Sequence, residues 1–122
     1  MMSILVVDDH RTNLTLLEYL LRAHGFDVKT AVDADSALAA IAAQKPKLIL
    51  MDLQLPVVDG LQLTRLIKSD PQTADIVVVA VTAYAMSGDE QRALAAGCDG
   101  YVSKPIDTRA LPKLVAKFMG RK

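Results

Sequence analysis

The 122-residue chain is 52% hydrophobic with three Tyr, two Phe and no Trp, which suits one domain around a core of Leu, Val, Ile and Ala. Fourteen Lys and Arg balance fourteen Asp and Glu, so no net charge steers it toward nucleic acid or an anionic membrane. Lone Cys98 excludes an internal disulfide framework, and no signal peptide or apolar run of roughly 18 residues appears, so a soluble, cytosolic protein is expected.

Short apolar runs then alternate with helical patterns five times. Residues 4–7 (ILVV) read as a buried strand. A helix follows over 11–24, with Leu14, Leu17, Leu20 and Leu21 on one face and Gly25 as its stop. Residues 26–32 form a second strand whose polar members, Asp27 and Lys29, mark it as an edge. Residues 35–44 are a short Ala-rich helix with Leu38 and Ile41 inward, ended by Lys45-Pro46. The third strand is 48–51 and the third helix 61–69, closed by Asp70-Pro71. Residues 76–81 are strand four, a helix runs from near Ser87 to Gly97 with Ala93 and Leu94 inward, and Tyr101-Val102 is a short fifth strand. Leu111, Leu114, Val115, Phe118 and Met119 place a last helix by their i, i+3, i+4, i+7, i+8 spacing. Strands alternating with helices of this length predict βαβ units and a parallel sheet covered on both faces. No linker interrupts the pattern, so residues 1–122 are expected to be one domain.

Each buried run ends in a polar residue. Strand one ends in Asp8-Asp9, strand three in Asp52, strand four in Thr82, and strand five leads to Lys104. In an open parallel sheet the carboxyl ends share one edge, where ligands bind. Singly, these residues have ordinary explanations: an Asp after a strand is often a helix N-cap, a lone Lys a solvated surface residue. Together they converge three carboxylates, a hydroxyl and an ammonium. Three close carboxylates repel by about 4 kcal/mol per pair at 4 Å and an effective dielectric of 20. Either their pKa values rise or a divalent cation binds, and oxygen ligands suit Mg²⁺ or Mn²⁺ rather than zinc. A carboxylate so placed can attack phosphorus to give an aspartyl phosphate.

The stretches LVVDD, LILMDLQLPVVDG, VVVAVTAYA and GYVSKPI, in that order, resemble the receiver domain of two-component response regulators, the CheY-like superfamily, along the whole chain. The region from Val81 to Ile106 is similar to single-domain regulators of the DivK kind and to receivers of hybrid kinases. The resemblance implies a doubly wound, flavodoxin-like (βα)5 three-layer sandwich with strand order 2-1-3-4-5. It implies Asp52 as phosphate acceptor, Asp9 as a direct Mg²⁺ ligand, Asp8 acting mostly through metal-bound water, and the backbone carbonyl of Gln54 as a further ligand. It also implies that Thr82 and Lys104 contact the phosphoryl group and that Lys104-Pro105 is a cis peptide. Gly60 would give room at the start of helix three, and Tyr101 would occupy an aromatic switch position. Gln54 and Tyr84 would flank the path of an attacking water and set phosphoryl lifetime. Leu55 and the Val57-Val58 pair depart from the usual pattern, and no catalytic position is lost.

The function so implied is a cytoplasmic phospho-accepting switch, not an enzyme. It would be charged by a histidine kinase or histidine phosphotransfer protein and would act on a downstream protein through helix four, strand five and helix five. It would be a monomer or weak dimer without direct nucleic-acid or membrane contact. Met1-Met2 and the end of the chain favour a free-standing protein over a receiver excised from a hybrid kinase. A haloacid-dehalogenase-like phosphatase fits less well, because there the nucleophile follows the first strand as DxD and the acid pair comes late. A relict acidic pocket would not explain the intact Thr82 and Lys104.

Overall fold

The computed structural model of the chain describes residues 3–53, 60–82, 89–103 and 107–119. Five strands and five helices alternate through them: β1 (Ser3–Val7), α1 (Arg11–Ala23), β2 (Asp27–Ala31), α2 (Ala34–Ala43), β3 (Leu48–Asp52), α3 (Gly60–Ser69), β4 (Val77–Thr82), α4 (Asp89–Ala95), β5 (Gly100–Ser103) and α5 (Leu111–Phe118). The strands form one parallel sheet in the order β2-β1-β3-β4-β5. Asp52 and Thr82 close their strands rather than follow them. The helix start expected near Ser87 lies outside the described residues.

Apolar side chains at successive positions of β1 and β3 point to opposite faces, so both strands are buried on two sides. Leu5, Val7, Ile49, Met51, Val78 and Ala80 pack under α2, α3 and α4. Ile4, Val6, Leu48, Leu50, Val79 and Val81 pack under α1 and α5. The result is three layers, with the sheet in the middle. β2 is the edge expected from its polar alternation: Val28 and Ala31 are buried while Lys29 and Thr30 are exposed.

Helix α1 presents Leu14, Leu17 and Leu21 to the sheet. It stops at Gly25, whose φ of 89° is a left-handed conformation that a Cβ would strain. There the Gly25 N–H donates to Arg22 O (3.0 Å) and the Phe26 N–H to Leu21 O (3.2 Å), while Leu21 and Phe26 pack in one cluster. This is the Schellman arrangement, and it turns the chain straight into β2. Cys98 is a small buried hydrophobe; burial pushes its thiol pKa up, and its Sγ lies 3.8 Å from Thr64 Oγ1.

Two inward assignments are corrected. Leu38 is 41% exposed and Leu94 is 50% exposed. The faces turned to the sheet are Ala34, Ala37 and Ile41 in α2, and Ala93 and Ala96 at α4. Each leucine sits one residue, about 100° of helical turn, from a buried alanine. Small side chains let these helices lie close to the strands, so spacing decided the face and side-chain size did not.

Candidate functional site

The order β2-β1-β3 reverses direction at β1, and the crevice outside the carboxyl ends of β1 and β3 is the topological switch point. Asp8 follows β1 and is held there by its own N–H, which donates to Ala31 O on β2 (3.1 Å). Asp52 is the last residue of β3, paired with Val81 of β4, and the next N–H, that of Leu53, donates to Val81 O (3.0 Å). Thr82 closes β4 opposite Ser103 of β5. Asp8, Asp52 and Thr82 are 3%, 1% and 0% exposed, a burial that polar side chains sustain only with partners or a counter-ion.

Asp8, Asp9, His10 and Asp52 each bring a ligand atom to within 4.8 Å of the others. Asp8 and Asp52 lie inside, and Asp9 and His10 at the rim. Asp8 Oδ1 accepts from the His10 backbone N–H (2.8 Å), and Asp8 Oδ2 lies 3.4 Å from Asn13 Nδ2. Neither Asp8 nor Asp9 is the N-cap of α1; that position is His10. The ordinary explanation for the acid pair as a helix cap is therefore removed. Three hard oxygen donors at this spacing fit a divalent cation of the Mg²⁺ type.

Gly60 opens α3 directly against the end of β3. Its N–H donates to Leu53 O (3.2 Å), and the buried Thr64 hydroxyl donates to Gly60 O (2.7 Å). A Cβ at residue 60 would fall 2.8 Å from Leu53 Cα and 3.0 Å from the Asp52 carbonyl carbon. Tyr101 is half-buried and packs on the α2, α3, α4 side of the sheet. By strand alternation Thr82 faces that same side, since Val78 and Ala80 do. Gln54, Tyr84, Lys104 and Pro105 lie outside the described residues. His10 and Asn13 were missed from the sequence; their signal is position, two and five residues after Asp8, at the N-cap and in the first turn of α1.

An acidic pocket at the carboxyl edge of a doubly wound 2-1-3-4-5 sheet defines a CheY-type α/β protein. The family model of the response regulator receiver domain matches residues 4–116, and the chain belongs to that family of two-component receivers. It is similar to the polar-differentiation response regulator DivK of Brucella anthropi, 38% identical over 118 residues, covering 97% of this chain and 96% of that protein. Among solved structures, it is similar to the receiver domain of a Pseudomonas aeruginosa sensor histidine kinase (34% identical, TM-score 0.88, 98% of each chain covered). That receiver holds a magnesium ion coordinated in its active site cleft. A CheY-like receiver domain protein of Methanospirillum hungatei superposes with TM-score 0.91 at 28% identity, covering 98% of this chain and 94% of that one.

Proposed function

We propose that this receiver is a phospho-accepting switch, charged on Asp52 by a phosphohistidine of a histidine kinase or a histidine phosphotransfer protein. The observation that carries the reading is the Asp52 carboxylate, 1% exposed at the end of β3 and clustered with Asp8 and Asp9. A buried carboxylate among others is costly for folding alone and useful for chemistry on a phosphoryl group.

An Asp52 carboxylate oxygen forms a bond to phosphorus as the P–N bond of the phosphohistidine breaks, and that bond's electron pair returns to the imidazole nitrogen. Asp8, Asp9, Asp52 and the Gln54 carbonyl would hold Mg²⁺ or Mn²⁺, which when bound offsets charge on the phosphoryl oxygens. Thr82 and Lys104 supply a hydroxyl and an ammonium to the same oxygens. Gln54 and Tyr84 govern how fast water removes the group. The magnesium in the similar Pseudomonas aeruginosa receiver supports the metal assignment.

The protein turns over no small-molecule substrate. Its output is a change in protein contacts across α4, β5 and α5, made as a monomer or weak dimer in the cytoplasm. The balanced charge supports a protein partner rather than nucleic acid, and among the described residues no helix is long and apolar enough to cross a membrane.

Acetyl phosphate with Mg²⁺ should label the wild type stoichiometrically with alkali-labile phosphate, and Asp52→Asn should take none while keeping its fold. Undiminished labelling of that variant overturns the assignment. Catalytic hydrolysis of phosphate esters would indicate a phosphatase, and an unlabelled wild type a relict pocket.

A further inference from the structure

His10 is a member of the pocket to which the phosphoacceptor reading gives no task. It stands at the N-cap of α1 yet makes no side-chain cap bond. Its Nδ1 lies instead 3.2 Å from Asp8 Oδ1 and 3.0 Å from Asp9 Oδ1. A ring nitrogen of His10 and one oxygen from each of Asp8, Asp9 and Asp52 fall within 4.8 Å of one another. Three oxygens with an imidazole nitrogen are a different donor set from three oxygens alone. Carboxylate, carbonyl and water suit Mg²⁺, Ca²⁺ and Mn²⁺, whereas imidazole suits the later first-row ions.

We propose that His10 is a metal ligand of this receiver, and that with it the pocket prefers a late first-row divalent ion, such as Co²⁺ or Ni²⁺, to Mg²⁺ on the same carboxylates. The inference rests on the receiver reading for the pocket and goes beyond it in the identity of the ion. Ligation forms a metal–nitrogen bond from the Nδ1 lone pair; the proton that Nδ1 shares with the carboxylates leaves to water, and the ring carries its remaining proton on Nε2. Ring and carboxylates, which now face each other, exchange that mutual contact for contact with one cation. The ring needs little rearrangement: its side chain is 66% exposed, while the backbone bond from His10 N to Asp8 Oδ1 keeps both residues in place. Ions later in the first row also bind any such site more tightly, up to copper, so the nitrogen adds to an existing trend. Its contribution is therefore measured as a change in preference between ions.

The untagged 122-residue chain is titrated calorimetrically with Co²⁺ and, separately, with Mg²⁺, as wild type, His10→Ala and His24→Ala. His24 is the only other histidine, and it sits at the far end of α1 with Nδ1 3.0 Å from Leu20 O. His10→Ala should lower the Co²⁺-over-Mg²⁺ preference by about 10-fold or more, a loss that even outer-shell partners of a metal can cause. His24→Ala should leave the preference as it is. Pulsed EPR of the Mn²⁺-loaded wild type should show imidazole ¹⁴N modulation that His10→Ala removes. An unchanged preference, or no nitrogen coupling in the wild type, overturns the assignment. Mg²⁺-dependent labelling of the wild type by acetyl phosphate separates the two readings. A labelled protein whose metal preference ignores His10 defeats this inference alone, and an unlabelled one defeats the receiver reading.

Discussion

Gly60 fixes how closely α3 approaches the backbone at Asp52 and Leu53. A methyl group there would press on the Asp52 carbonyl and on Leu53 Cα, both backbone, which cannot swing aside as a side chain does. Gly60→Ala should cost about 1–3 kcal/mol in urea unfolding and lower the rate of Asp52 labelling, since relief requires β3 or α3 to shift. At this scale the sequence revealed Asp8, Asp9, Asp52 and Thr82, because a polar residue ending a two-sided buried run is conspicuous. It did not reveal His10 or Asn13. Their contacts run sideways from α1 to Asp8, and short-range spacing on a helix does not show what lies beside its first turn.

Among the elements, α2 and the Lys68 contacts of α3 carry predictions. Asp33 caps α2: its carboxylate accepts from the Ser36 N–H (2.8 Å) and the Ser36 hydroxyl (2.7 Å), and the Asp33 N–H donates back to that hydroxyl (3.2 Å). The reading that began this helix at Asp35 missed the cap, because Ser replaces the usual Glu or Gln three residues on. Hydrogen bonds from the Ser36 backbone and then its hydroxyl hold the Asp33 carboxyl below its ordinary range. A depressed folded-state pKa gives stability above the unfolded value, about pH 4, and loses it as pH falls through the folded value. Ser36→Ala should therefore lower Tm near pH 6, and the gap to wild type should shrink below pH 3. On α3, Lys68 Nζ donates to Ile76 O (2.6 Å), Ala74 O (3.3 Å) and Asp99 Oδ2 (2.8 Å), and Asp99 Oδ2 also accepts from the Val78 N–H (2.9 Å). Lys68→Met keeps the apolar stem and removes the donors. It should cost about 1 kcal/mol in urea unfolding, at the low end for such a loss because Asp99 is 42% exposed.

For the whole molecule, the sheet separates two cores, and the signal has to choose a side. Thr82 and Tyr101 both belong to the side covered by α2, α3 and α4, whereas α1 and α5 cover the other. Phosphorylation adds about −1.5 to −2 charge at pH 7, and a donor moving toward it leaves space behind. If Thr82 moves, Tyr101 is the half-buried aromatic on the same face that can follow. Thr82→Ala should accept phosphate yet couple poorly to partner binding. With beryllofluoride and Mg²⁺, wild-type NMR shifts should reach Tyr101 and α4; shifts confined to the loops around Asp52 would exclude this route. All ten elements could be read in order from the sequence, because buried parallel strands are continuous apolar runs and the helices keep a 3.6-residue period. The facing of α2 and α4 could be read only in part: Ile41 and Ala93 are buried as expected, and Leu38 and Leu94 are not. Leu38 and Leu94 look like core residues by size, and only the tight seat of the alanines turns them outward.

The Lys68 contacts also give α4 a fulcrum. Its trailing end runs into Gly97, where φ is 108° and the stem of Lys68 lies close alongside, and then into Asp99, which the Lys68 ammonium grips. The seven residues Asp89–Ala95 make a rod about 10 Å long at 1.5 Å per residue. Held at that end, the rod can pivot but hardly slide, so a tilt of about 10° would carry its leading turn roughly 2 Å and its trailing turn almost nowhere. Displacement would be largest at the Asp89 end and smallest at the anchor. A binding partner that grasps the leading turn would sense the tilt, while one resting on the anchor would meet the same surface in both states.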